Sequence, residues 1–216
     1  TVSISRTSLR TPLHATLAGA LLALASALHP ATAQDMQGSE TARRALHVCA
    51  SCHGVDGHSK NAQFPHLAGQ SAQYTAQQLK DFREQRRGET DNRAYMWGVS
   101  ALLDDATIEA LANHYAAQTP TPGKTAAKPQ LLARGKAIFE AGIPQRKVAA
   151  CASCHGANAE GAAAFPRLAG QHAAYLERQL DTFSTRLRPH GVLMRNEVAG
   201  LRKDERRAVA AYLQSL

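Results

Sequence analysis

The chain has 216 residues, room for one or two domains, with 25 Lys and Arg against 17 Asp and Glu and a formal charge of +8. That basic balance comes without aromatic-basic interleaving or a helix-turn-helix pattern, so it does not by itself argue for nucleic acid, and no nucleic-acid partner is expected. Aromatic residues make up only 5% of the sequence, thin for two self-sufficient cores unless something else large and apolar helps to fill them.

Residues 1–33 read as a signal peptide. Arg6 and Arg10 supply a basic start, residues 15–28 an apolar run of 14 residues, and Ala31-Thr32-Ala33 the small-x-small cleavage pattern. A membrane anchor is the competing reading, but the run falls short of the roughly 20 residues that a bilayer span needs. Cleavage after Ala33 is expected to leave a soluble, exported chain with 23 basic and 17 acidic residues.

A helix is expected over residues 40–50, delivering Cys49-Ala50-Ser51-Cys52-His53-Gly54 near its end. A second is expected over 71–87, with Ser71 as N-cap, an apolar side of Tyr74, Leu79 and Phe82, and a stop before Gly88. A third follows the N-cap candidate Asp104 over 105–117, with Ile108, Leu111 and Tyr115 at helical spacing. Residues 118–129 carry three prolines, a glycine and no large apolar residue, and read as a linker. Helices are expected again at about 130–141, 172–187 and 203–214, around a second motif, Cys151-Ala152-Ser153-Cys154-His155-Gly156. No alternating strand pattern is present.

C-x-x-C-H is the attachment signature of c-type haem. On a helical turn, positions i, i+3 and i+4 share a face, so two thiols can meet two vinyl groups while His53 or His155 points at the iron. Two disulfides, a redox dithiol and half of a zinc site compete. Disulfides need no histidine after each second cysteine, and the motifs lie 102 residues apart, not the 15–20 of a zinc ribbon. Two porphyrins would also supply the missing core, and four propionates would offset much of the positive charge.

The motifs sit inside a longer repeat. Phe64-Pro65-His66-Leu67-Ala68-Gly69-Gln70 recurs as Phe165-Pro166-Arg167-Leu168-Ala169-Gly170-Gln171. Tyr74 matches Tyr175, Gln78-Leu79 matches Gln179-Leu180, Phe82 matches Phe183, and Tyr115 and Tyr212 close the two copies. Residues 141–150 have no counterpart in the first copy. Met96 stands seven residues before Leu103 and Met194 seven before Leu201, each entering the last helix of its copy. Either could be core filler, but two matched methionines in a chain with three are better explained as sixth ligands to iron. His58, His66, His114, His172 and His190 are rival ligands with no histidine at the matching place, most of them expected at the surface. Pro65 and Pro166 are either turn prolines or carbonyl acceptors for Nδ1–H of His53 and His155. Arg83, Arg86, Arg87 and Arg93, with Arg186, Arg188 and Arg195, form a basic zone that neutralises propionates, steers an acidic partner, or is merely solvated.

Together the two C-A-S-C-H-G motifs, the two F-P-x-L-A-G-Q segments, the Q-L-x-x-F helices and the two Met…Leu segments resemble the diheme cytochrome c4 family across essentially all of residues 34–216. The resemblance implies an all-α protein of two tandem class I cytochrome c domains, at 34–117 and 130–216, each wrapped around one covalently bound haem. It implies attachment through Cys49, Cys52, Cys151 and Cys154, axial pairs His53/Met96 and His155/Met194, and Pro65 and Pro166 behind the proximal histidines. Family members often show a methionine pair where this chain has Tyr95-Met96-Trp97 and Leu193-Met194-Arg195. The expected function is single-electron transfer, with no residue acting as acid, base or nucleophile. The expected partners are redox proteins, including a membrane-bound oxidase, a reductase or a cytochrome bc complex, with loose membrane association allowed and a monomer favoured. A dehydrogenase subunit is the main alternative; a diheme peroxidase and a haem-based gas sensor rank below it.

Overall fold

The computed structural model describes residues 40–89 and 93–216, with Thr1 and Ser3; the expected leader and Met36 lie outside the described residues. The expected all-α class holds. Among the described residues every extended pairing is an isolated bridge, Ile143 with Val148 and Ala162 with Phe165. The first half contains α1 (Glu40–His53), α2 (Ala72–Arg83), α3 (Arg93–Ser100) and α4 (Asp105–Ala116). The second contains α5 (Pro129–Ala141), the single turn α6 (Ala152–His155), α7 (Ala173–Phe183), α8 (Val192–Ala199) and α9 (Lys203–Gln214).

Local chemistry sets these boundaries. Ser71 accepts the backbone N–H of Tyr74 and Asp104 that of Thr107, satisfying orphan donors at the starts of α2 and α4. Helix α2 stops at Arg83 rather than 87 because Gln85 turns left-handed (φ 56°) and both Arg86 and Arg87 N–H groups fold back onto the Asp81 carbonyl, at 2.7 and 3.0 Å. This turn sends the Arg87 side chain inward. Its equivalent α7 stops early too, at Phe183, and Arg188 is likewise buried. The short helices α3 and α8, which carry Met96 and Met194, were expected only as segments entering the last helix. Each has eight residues, too few for a clear periodic signal.

In each half the first helix crosses the last, α1 on α4 and α5 on α9, with α2 and α7 packed alongside. Ile108, Leu111, Ala112, Ala42, Ala76 and Leu79 form the first core. Phe139, Ile138, Leu176, Val209 and Leu213 anchor the second. The α5–α9 crossing is close enough to require a glycine. A Cβ on Gly135 would overlap the Ala208 carbonyl oxygen and lie 2.7 Å from the Tyr212 Cβ. Gly135→Ala gains up to about 1 kcal/mol of helix propensity but forces two backbones apart, an overpacking cost of roughly 1–3 kcal/mol. Net destabilisation is therefore expected, measured as a lower thermal midpoint with the haem content unchanged.

The unmatched residues 141–150 form a tight loop, a turn at Pro144–Arg146 closed by the Ile143–Val148 bridge. Arg146 reaches from it to buried Glu205 at the start of α9, where Arg134 and Arg202 also converge. Hydrogen bonding to Arg146 pushes the Glu205 carboxyl down to about 2. The segment before α5 has no regular structure at 119–128 yet is fastened to the chain end. Gly123 N–H donates to Leu216 O at 2.9 Å and Gln214 Nε2 to Lys124 O at 2.5 Å.

Candidate functional site

Helix α1 carries Cys49, Cys52 and His53 on its last turn, and α6 carries Cys154 and His155 just after Cys151. Both turns end on a left-handed glycine, Gly54 (φ +84°) and Gly156 (φ +85°), a conformation that other residues rarely adopt. His53 and His155 are buried, 7% and 6% exposed. His53 Nδ1 donates to Pro65 O at 2.9 Å and His155 Nδ1 to Pro166 O at 3.0 Å. The preceding phenylalanines meet the rings edge-on, Phe64 to His53 at 6.1 Å and Phe165 to His155 at 6.2 Å. Each F-P pair thus supplies an aromatic edge and a carbonyl, which together fix one imidazole and its tautomer.

Burial sets the electrostatics of both turns. None of the four cysteines is paired in a disulfide. Burial pushes the Cys49 and Cys151 thiols up to about 11, as an apolar surround does. Burial also holds His53 and His155 below the ordinary histidine range, against the opposing pull of the proline carbonyls. With Nδ1–H donated, Nε2 carries the lone pair that an iron takes. Among the described residues no group of three or more His, Cys, Asp and Glu could hold a bare metal ion.

Met96 is half-buried against the first core. Met194 is half-buried on the equivalent helix α8. The residue after each methionine reaches the carbonyl of a buried arginine: Trp97 Nε1 donates to Arg87 O at 2.6 Å, and Arg195 Nη2 to Arg188 O at 3.3 Å. The rival histidines are engaged elsewhere. His190 Nδ1 pairs with Asp81 at 3.0 Å, His114 with Gln118 at 3.0 Å, and His58 with Asp56 at 3.4 Å. His66 and His172 stack on each other. The expectation that most of these histidines are surface residues fails for His66 and His172, which lie in the seam between the halves.

That seam uses residues whose repetition was visible but whose purpose was not. Gln171 accepts His66 N–H and donates to His66 O, both at 2.9 Å; Gln70 does the same to Arg167, at 2.8 and 3.0 Å. The last residue of each F-P-x-L-A-G-Q segment therefore brackets the variable residue of the other copy. Below them, Arg87 donates to Gln78, Tyr175 and Gln179, and Arg188 to Gln179, Tyr74 and Gln78. The guanidinium of Arg87 lies 4.4 Å over Phe82 and that of Arg188 4.1 Å over Phe183. Arg87 and Arg188 thus leave the basic zone: they are 4% and 7% exposed and tie the two halves together.

Comparison with known proteins agrees with this duplication. The cytochrome c family model matches residues 39–116 and 132–216. The chain is 39% identical over 188 residues to the cytochrome c4 of Thiocapsa roseopersicina, covering 84% of this chain and 93% of that one. It is 35% identical over 211 residues to the thiosulfate dehydrogenase electron acceptor of Stutzerimonas stutzeri, covering 94% and 95%. The solved structure of Acidithiobacillus ferrooxidans cytochrome c4 superposes with a TM-score of 0.70 at 37% identity, covering 78% of this chain and 98% of the other. The family match over both halves and the likeness to cytochromes c4 across most of their length place this chain in the cytochrome c4 family, as a diheme electron carrier with two covalently bound c-type haems.

Proposed function

We propose that His53 with Met96, and His155 with Met194, hold the two irons, and that the protein shuttles single electrons between periplasmic or membrane-bound redox partners. The observation that carries this reading is the placement of Met96 and Met194 on equivalent eight-residue helices, each half-buried, while His190, His114 and His58 pair with other side chains and His66 stacks on His172 in the seam. When bound, the haem supplies a one-electron change of iron valence. The chain orients each imidazole through Pro65 or Pro166, keeps Nε2 unprotonated, and surrounds the site with a rigid shell that reorganises little. The reading of residues 1–33 as a leader supports a periplasmic location. Residues 34–117 and 118–129 correspond in this proposal to the first domain and the linker, and 130–216 to the second domain.

Charge divides unequally between the halves. Residues 34–117 hold 8 basic and 10 acidic residues, a balance of −2, whereas 130–216 hold 13 and 7, a balance of +6. Lys147, Lys203 and Arg207 are exposed on the second half. An acidic partner therefore docks at the second half, with an association rate that falls as salt rises. Absorption spectra of the holoprotein test the ligand assignment. Low-spin iron in both oxidation states and a thioether–iron charge-transfer band from both centres are expected. A high-spin or water-ligated centre would overturn the shuttle reading.

The likeness to a thiosulfate dehydrogenase electron acceptor over 94% of this chain favours one specific second reading, acceptance of electrons directly from a dehydrogenase. Rapid reduction by a purified thiosulfate dehydrogenase, and co-purification with it, would support that role over a free carrier.

A further inference from the structure

The histidines in the seam do more than fill it. His66 stacks on His172 across the two halves, with ring centroids 3.9 Å apart and planes at 33°. His58 lies 5.8 Å from His66 on the other side. None is part of the repeat: His66 stands where the second half has Arg167, and His172 where the first has Ser71. The backbone N–H and carbonyl of His66 are both held by Gln171, which fixes the backbone from which its ring enters the seam. His172 Nε2 donates to Ser59 O at 3.1 Å, again across the seam. His66 Nδ1 and His58 Nε2 are buried with no hydrogen-bond partner, a state a neutral imidazole nitrogen tolerates and a protonated one does not.

We propose that the His66–His172 stack is a proton-released clasp between the two halves, closed while the His66 ring is neutral and opened when it takes up a proton. A protonated His66 would hold a buried Nδ1–H with no acceptor, pressed against the His172 ring. The other charged groups facing the cluster do not cancel that. Asp56 is opposite in sign but already paired with His58. Arg167 lines the same small cavity as His58 and His66 and adds positive charge. Burial first, and then His172 and His58, push His66 down to about 4. An exposed histidine titrates near 6.5, so the open form binds more protons between the two values. The clasp is therefore fully closed above about pH 6.5 and loosens as pH falls toward about 4. The inference does not depend on which residues ligate iron.

Amide hydrogen exchange on the holoprotein tests it, at about pH 7.5 and about pH 4.5 and corrected for intrinsic rates. Protection of the His66 and Arg167 N–H groups, which bond Gln171 and Gln70, should fall on the order of tenfold in the wild type. In His172→Ser, the residue the first half uses at that place, the fall should shrink to less than about twofold. His66→Asn, which keeps a polar ring-sized group without the charge, should behave alike and serves if the first variant does not fold. An undiminished fall in both variants, or no fall in the wild type, would overturn the clasp.

Discussion

Glu89→Ala is expected to destabilise the folded holoprotein by about 3–5 kcal/mol, the usual cost of stripping one partner from a buried ion pair. Glu89 is 4% exposed and accepts from Arg87 Nε at 3.1 Å and Nη2 at 2.5 Å, while Gln179 Nε2 donates to its other oxygen at 2.5 Å. Arg87 and Arg188 share Gln78 and Gln179 as acceptors, so two buried guanidinium groups converge on one carboxylate. Burial alone would raise the Glu89 carboxyl; the charge of Arg87, the Gln179 hydrogen bond and the charge of Arg188 outweigh it and hold it below the ordinary range. Its contribution is then fully present above the unfolded value of about 4.3 and is lost as pH falls through the lower folded value. At roughly 2–4 °C per kcal/mol for a chain of this size, the thermal midpoint should drop by about 6–20 °C. Glu89→Gln, which keeps the acceptor but not the charge, should fall between. Variants that melt with the wild type would mean that the arginines are neutralised by another anion, and the haem propionates are the other acids this chain holds.

This seam shows where sequence reading stops. The helical spacing of Tyr74 and Phe82, repeated at Tyr175 and Phe183, says that these residues leave water. It does not say whether they meet their own half or the other one. They were legible as core, and in the structure they become the walls of an interface. Arg87 and Arg188 read as surface charge because arginine is rarely buried unpaired; their partners, Tyr175 and Tyr74, come from the opposite copy, about 90–115 residues away along the chain. The haem motifs were legible for the opposite reason. Cys49, Cys52 and His53 are neighbours in one helical turn, so local spacing carries their geometry. The turn that sends Arg87 inward depends on one carbonyl, Asp81 O, accepting two N–H groups, and composition gives no hint of that.

The asymmetry between copies was legible only where it was an insertion. Residues 141–150 stood out by length, and their use became clear through Arg146 and Glu205. Glu89 and His190 occupy matching places in the two copies, two residues after the seam arginines. One is a buried counter-ion and the other pairs with Asp81 of the first half. Sequence alone registers the difference without revealing that both residues face the same interface.

Met96→Leu and Met194→Leu are expected each to abolish about half of the red-end thioether–iron band while leaving stability within about 1.5 kcal/mol, because the exchange conserves volume and removes only sulfur. The double variant should lose the band altogether. Haem content should stay at two per chain, since Cys49, Cys52, Cys151 and Cys154 are untouched. Each altered centre should gain cyanide binding and a lower potential, as loss of a thioether ligand predicts. Were the methionines only core filler, leucine would leave the spectrum unchanged, and only Met→Ala, at roughly 2–5 kcal/mol for a fully buried site, would register. The two readings therefore separate on the conservative substitution. The halves should also differ in degree. Helix α3 is fastened behind Met96 by the 2.6 Å Trp97–Arg87 bond, whereas α8 has the 3.3 Å Arg195–Arg188 contact. The longer contact restrains its helix less, so in the unaltered protein any displacement of a methionine by added cyanide should begin at Met194.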